Sequence, residues 1–187
     1  MQSCAAPLRA PAAVRVAQGF TLIEIIVTLT VLTILALVAV PSYRDAIDKY
    51  RLKAASEALF GEFQNAKSIA PLRKANVTMH FATGAAWCAG VTGKTDCACA
   101  QADSTQADYC EIRRVQASEF KNATLSAADF GGAARLVFEP VRGTATAGSV
   151  NLTSALGKQT TISASALGRI TLCSPAGAAN LAEFPAC

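Results

Sequence analysis

From Phe20 to Val40 the chain runs 21 residues with a single charge, Glu24. As a helix, a run of this length matches the ~30 Å apolar core of a bilayer at about 1.5 Å per residue. After Pro41 the helical period continues but charges enter it. In "SYRDAIDKYRLKAASEALFGEFQNAKSIA" the apolar residues Tyr43, Ile47, Tyr50, Ala54, Leu59, Phe63 and Ala66 recur at three- to five-residue steps, the spacing of one helix face. Ser42 is placed to cap a helix restarted after the proline. Pro71 is expected to end or kink it, because its ring clashes with the preceding turn. The stretch from Phe20 to Ala70 would make about 77 Å of helix, more than a bilayer requires, so its second half reads as an amphipathic stalk.

From Asn76 onward the period changes. "NVTMHFAT" alternates, "CEIRRVQ" does so more weakly, and "ARLVFEP", "GSVNLTS", "KQTTISAS" and "GRITLCS" follow as short β-branched runs separated by Gly, Asn and Ser. Six to eight antiparallel strands and no second long helix are expected. The fold class is therefore α+β: a long N-terminal helix, membrane-spanning in its first half, packed on a C-terminal antiparallel sheet or sandwich.

Composition sharpens this picture. Hydrophobic residues are 52% and charged residues 16% of the 187, and the excess is concentrated in the apolar run. Net charge is +4, and without Arg9 and Arg15, which precede the run, 15 cations face 13 anions. A balance this even offers little phosphate neutralisation, so composition does not point to nucleic acid. Of seven cysteines, Cys4 precedes the run and Cys88, Cys97, Cys99, Cys110, Cys173 and Cys187 follow it. An even set on one side of a span indicates disulfides in an oxidising compartment. Cys97 and Cys99 are too close to bond each other, so each takes a different partner. The expected scheme is Cys173 with Cys187 and two bridges among the other four. The spacing Cys88-x8-Cys97-x-Cys99-x10-Cys110 lacks the tight pairs of a structural zinc site, so no metal is expected.

Catalytic chemistry finds little footing. His80 is the one histidine; it sits in an alternating strand with no identified nucleophile, and is expected at the surface or on an edge. "GVTGKT" resembles a phosphate loop, but the position five before Gly93 is Cys88 and no helix pattern follows. Neither an enzyme nor a cofactor is expected.

The segment "GFTLIEIIVTLTVLTILALVAVPSY" closely resembles the signature of type IV prepilins. The resemblance rests on Gly19, Phe20, Glu24 and Pro41. It implies that residues 1–19 are a leader removed by a prepilin peptidase between Gly19 and Phe20. It also implies methylation of the new N-terminus, and pairing of Glu24, fifth in the mature chain, with a neighbouring subunit's terminal amine. Residues 20–72 would form the transmembrane and stalk helix, and 73–187 a disulfide-stapled periplasmic β domain. Partners would be the peptidase, other pilins or pseudopilins and the inner membrane. The location would be a single pass through that membrane, then a pilus or pseudopilus. The physics agrees with a carboxylate here: near the interface, one turn into the helix, it costs less than the ~2.5–3.5 kcal/mol of the bilayer centre.

The segment "RLVFEPVRGTATAGSVNLTSALGKQTTISASALGRITLC" resembles the C-terminal part of H-type minor pseudopilins and of FimT/FimU minor pilins. Phe138, Pro140 and Gly143 match a turn before two strands, and Gly168 and Arg169 match a pair that opens the last strand. The function this implies is a minor pilin that enters, or primes, a type IV pilus. The alternatives are an H-type pseudopilin of a type II secretion system and a DNA-binding tip receptor. For the last, Arg169 is the candidate contact, but the second arginine of the related DNA-uptake motif is absent here, where Thr171 stands. Solvated surface cations are the favoured reading.

Overall fold

A computed structural model describes residues 19–187, so the expected leader, apart from Gly19, lies outside the described residues. The chain divides into two compact units, Met1–Pro41 and Ser42–Cys187. One helix, α1 (Leu22–Arg73), supplies residues to both.

In the first unit, every described residue is exposed. The most apolar 18-residue window of α1 has a mean hydropathy of 2.7 and none of it is buried. Its threonines satisfy themselves: the hydroxyls of Thr28, Thr30 and Thr33 donate to the carbonyls of Ile25, Val27 and Leu29 at 2.9, 2.8 and 2.8 Å. A side chain bonded to its own helix needs no water, so these hydroxyls are compatible with lipid. Pro41 does not interrupt the helix, and Ser42 lies inside it rather than capping a new one. A proline removes one main-chain bond, and here a single lost bond does not end a 52-residue helix.

In the second unit, α1 buries a regular stripe. Leu52, Ala55, Leu59, Phe63, Ala66 and Ala70 are all fully buried, at the three- and four-residue steps of one helix face. Eight strands form two four-stranded antiparallel sheets: β1 (Val77–Ala82), β2 (Cys88–Thr92), β3 (Arg113–Gln116), β4 (Ala123–Asp129), β5 (Arg135–Phe138), β6 (Gly148–Ser154), β7 (Gln159–Ala164) and β8 (Ile170–Cys173). Their orders are β3-β2-β1-β5 and β4-β6-β7-β8. Each sheet is tied to the helix by a polar contact: Arg113 of β3 meets Glu62 at 2.8 Å, and Thr160 of β7 shares a 2.6 Å hydrogen bond with Ser56. Phe63 from the helix, Phe81 from β1 and Phe130 after β4 cluster with ring centroids 5.5–6.2 Å apart.

The end of α1 departs from expectation. Pro71 neither stops nor shortens it, and the helix closes two residues later, at Arg73. Lys74 then takes φ 53°. Lys74 N–H bonds the Pro71 carbonyl at 3.2 Å and Ala75 N–H the Ala70 carbonyl at 3.4 Å. These are the two bonds of a Schellman cap, with lysine in the left-handed position usually given to glycine. His80 lies on β1, flanked by β2 and β5 and so not on an edge strand, and it is partly exposed, with its ring 3.1 Å from the Thr95 carbonyl.

Candidate functional site

Three features concentrate the chemistry. The first is the start of α1. Gly19 and Phe20 precede the helix, and the Phe20 side chain is 77% exposed. The Thr21 hydroxyl accepts the Glu24 N–H at 3.3 Å, and the Thr21 carbonyl accepts the Ile25 N–H at 3.3 Å. Thr21 is thus the N-cap and Glu24 the third helical residue, where a carboxylate complements the helix dipole. The arrangement leaves the Gly19–Phe20 peptide outside the helix and holds the one acid of the apolar run one turn away. Pro41 lies in the same helix, far from Glu24 along the chain, so the structure does not bring these two together.

The second is the disulfide module between β2 and β3. Cys88 bonds Cys99 and Cys97 bonds Cys110, with Cα separations of 5.7 and 5.1 Å; Cys173 bonds Cys187 at 5.0 Å. The first four sulfurs form one buried cluster. Gly90 is what lets them stack on β2: a Cβ there would collide with Cys110 Sγ and lie 2.9 Å from Cys99 Cβ. Around the cluster, Lys94 Nζ donates to the Ala107 carbonyl at 2.9 Å, and Arg114 covers the Tyr109 ring at 4.7 Å. Burial opposes ionisation of Glu111. The Thr92 hydroxyl, two backbone N–H groups and Lys94 outweigh that burial, and its carboxyl sits below the ordinary value. The hydroxyl and N–H of Thr105 hold the exposed Asp103 carboxyl low as well.

The third is a pair of turns. A Cβ on Gly168 (φ 73°) would strike the Gly143 carbonyl, and Ala145 N–H bonds the Ala166 carbonyl at 3.1 Å. The β5–β6 and β7–β8 connections therefore abut, which gives Gly143 and Gly168 a steric role. Arg169 follows on the exposed surface, its N–H on the Ser165 hydroxyl at 3.1 Å. Arg113 and Arg114 point to opposite faces, one to Glu62 and the other to Tyr109. Among the described residues no group of His, Cys, Asp or Glu is arranged to hold a metal.

Residues 55–168 match the family model for type II transport protein GspH, and residues 14–40 match the prokaryotic N-terminal methylation motif. The first match covers more than half of the chain. The chain belongs to the GspH family. That places it among the minor pilins and pseudopilins, a family of structural subunits, here with an N-terminal methylation motif. The type IV minor pilin FimU of Pseudomonas aeruginosa PAO1 is a similar solved structure, at 17% identity over 65% of this chain and 91% of that chain, with a TM-score of 0.46. No curated protein matches the chain. Sequence reading did not identify Thr21 as the cap or Gly90 as the seat of the disulfides. The first was legible as a Thr-x-x-Glu capping pattern; the second had no local signal.

Proposed function

We propose that this GspH-family chain is a minor pilin that enters, or primes, a type IV pilus after a prepilin peptidase cuts between Gly19 and Phe20. The observation that carries the reading is the start of α1. An accessible Gly-Phe peptide stands directly before a helix whose exposed apolar half holds one carboxylate, Glu24. In this reading the first unit rests in the inner membrane, and the β domain occupies the periplasm. Extraction into the filament moves the apolar half from lipid to neighbouring helices, where a new Phe20 amine partners a neighbour's Glu24. Removing one member of such a desolvated pair costs about 3–5 kcal/mol. The subunit's work is therefore packing, with no catalytic step and no cofactor.

Among the described residues nothing lies within 4 Å of a side chain built at Gly19, so a larger residue there changes what the peptidase meets and not the packing of the second unit. Gly19→Leu should leave full-length precursor in membranes on a blot. Glu24→Gln should be processed normally yet fail to assemble. Normal cleavage of the first variant, or full assembly of the second, would remove the corresponding claim.

The match to the GspH model favours a second reading, an H-type pseudopilin of a type II secretion system. The two part on phenotype: deletion should abolish piliation on the first reading and export of secreted enzymes on the second.

A further inference from the structure

The outer face of the β3-β2-β1-β5 sheet is roofed by the disulfide module. Gly90 and His80 pair across β2 and β1. On this face Cys110 stacks against Gly90, and the His80 ring meets the Thr95 carbonyl. Thr78 stands two residues before His80 on β1 and so shares the face. Beside it the roof leaves a surface pocket of about 170 Å³. Gly93, Lys94 and Thr95 line it from the module, Asn76 and Thr78 from the start of β1, and Arg135 and Val137 from β5. Sites for drug-sized ligands run to roughly 300–1,000 Å³, so this one suits a small occupant.

One group in the pocket has no partner. Thr78 is only 4% exposed, yet its hydroxyl makes no hydrogen bond among the described residues. Its cross-strand neighbours do not supply one. Val137 is apolar, and the Thr92 hydroxyl already serves the Glu111 carboxylate and the Lys94 N–H. Among the described residues no fully enclosed side-chain polar atom lacks a partner, so the Thr78 oxygen opens to the pocket. A polar group this buried is normally bonded, which points to a ligand. The other polar groups of the lining are rich in donors. Lys94 Nζ gives one of its three N–H bonds to the Ala107 carbonyl, and Arg135 gives one of its five to Asp96 at 3.3 Å. Asn76 adds a side-chain amide, and no carboxylate lines the space. The charges around it are near balance: Arg73 and Lys74 join Lys94 and Arg135, against Asp96, Glu111 and Glu139, with His80 beside Asp96. Net charge therefore does not choose the occupant. Each acid is turned to a partner of its own, Asp96 to Arg135, Glu111 to Thr92 and Gly93, and Glu139 to Thr144. What remains along the lining is a donor set, and an oxyanion is what an arginine fork, a lysine point charge and a hydroxyl together recognise.

We infer that this pocket binds a phosphate or sulfate group, free or as a monoester, with the Thr78 hydroxyl donating to it and Arg135, Lys94 and Asn76 around it. The roof is set in advance. Gly93 N–H is tied to Glu111 at 2.7 Å, Lys94 N–H to Thr92 at 3.0 Å, and Cys97 to Cys110, so little has to be ordered on binding. The site lies wholly in the second unit, and its occupancy does not depend on where a leader is cut.

The test is equilibrium dialysis of the full chain in detergent against radiolabelled inorganic phosphate. Saturable binding of one phosphate per chain is expected. Displacement by both sulfate and glycerol phosphate would show that the group is also taken on a larger molecule, and displacement by sulfate alone that the free ion is the ligand. Arg135→Gln and Lys94→Gln should each weaken binding about tenfold, the scale of one charge-assisted bond. Thr78→Val keeps the branched shape and removes the unpartnered hydroxyl. It should weaken binding about fivefold while the denaturation midpoint holds or rises. Lys121→Gln, an exposed cation outside the pocket, should change nothing. A folded chain with no saturable binding overturns the inference. So does binding that survives the substitutions at Arg135, Lys94 and Thr78, or displacement by acetate or duplex DNA as effective as that by sulfate.

Discussion

The two halves of α1 are one helix answering to two solvents. From Leu22 to Pro41 all of its residues are exposed, apolar on every side, and its hydroxyls turn inward to their own backbone. From Ser42 to Arg73 charges enter, most of them away from the sheets, and one face buries Leu52, Ala55, Leu59, Phe63, Ala66 and Ala70, with Asp48 and Glu62 the buried charges beside them. The difference shows that uniform hydrophobicity and patterned hydrophobicity are separate signals. The first has no preferred face and suits lipid or a ring of neighbouring helices. The second has one face and suits the sheets it packs on.

The two halves of the helix part most at Phe63. Phe63→Ala should destabilise the second unit by about 3–5 kcal/mol, the range for emptying a buried aromatic site. Leu29→Ala, in the exposed half, should leave thermal unfolding of that unit unchanged. Equal effects would mean that the two halves do not differ as described. Next in size, replacing both Cys97 and Cys110 with Ser should cost about 2–4 kcal/mol, chiefly by freeing the unfolded chain. Chemical denaturation of the intact and substituted chains reads this directly. Smaller again, Lys74→Gly should stabilise by roughly 0.5–1 kcal/mol, since φ 53° suits glycine better than lysine. A lower denaturation midpoint would show that the Lys74 side chain contributes more than its backbone strain costs.

The smallest effect is electrostatic. The Glu111 carboxyl is depressed below 4.5 in the folded state. A depressed acid stabilises the fold above its unfolded value, and that contribution fades as pH falls through the folded value. Glu111→Gln should therefore be less stable than the parent at neutral pH, with the gap narrowing below about pH 4.5. A gap that stays constant down to strong acid would assign the effect to lost hydrogen bonding.

How much was legible follows the same divide. The spanning run, Gly19, Phe20 and Glu24 lie within a few residues of one another and could be read locally. Six strands were visible as alternation or as β-branched runs, and β6 has the bounds of "GSVNLTS". β2 was hidden because all five of its residues are buried, which removes alternation, and because Gly90 and Ala89 carry no strand preference. β4 was hidden by its alanines and by the register shift between Leu125 and Ala127. The pairing of Cys88 with Cys99 and Cys97 with Cys110 depends on the β1–β2–β3 register, a long-range property. The meeting of Gly143 with Gly168 is likewise invisible until the two sheets are placed.

If Gly19 ends a leader and Phe20 begins the mature subunit, the N-terminus itself carries the record. It can be read by mass spectrometry of the chain recovered from membranes that contain a prepilin peptidase. The N-terminal peptide should begin at Phe20 and carry one added methyl group, with no peptide from residues 1–19 attached. A chain that still begins at Met1, or is cut elsewhere, contradicts the account.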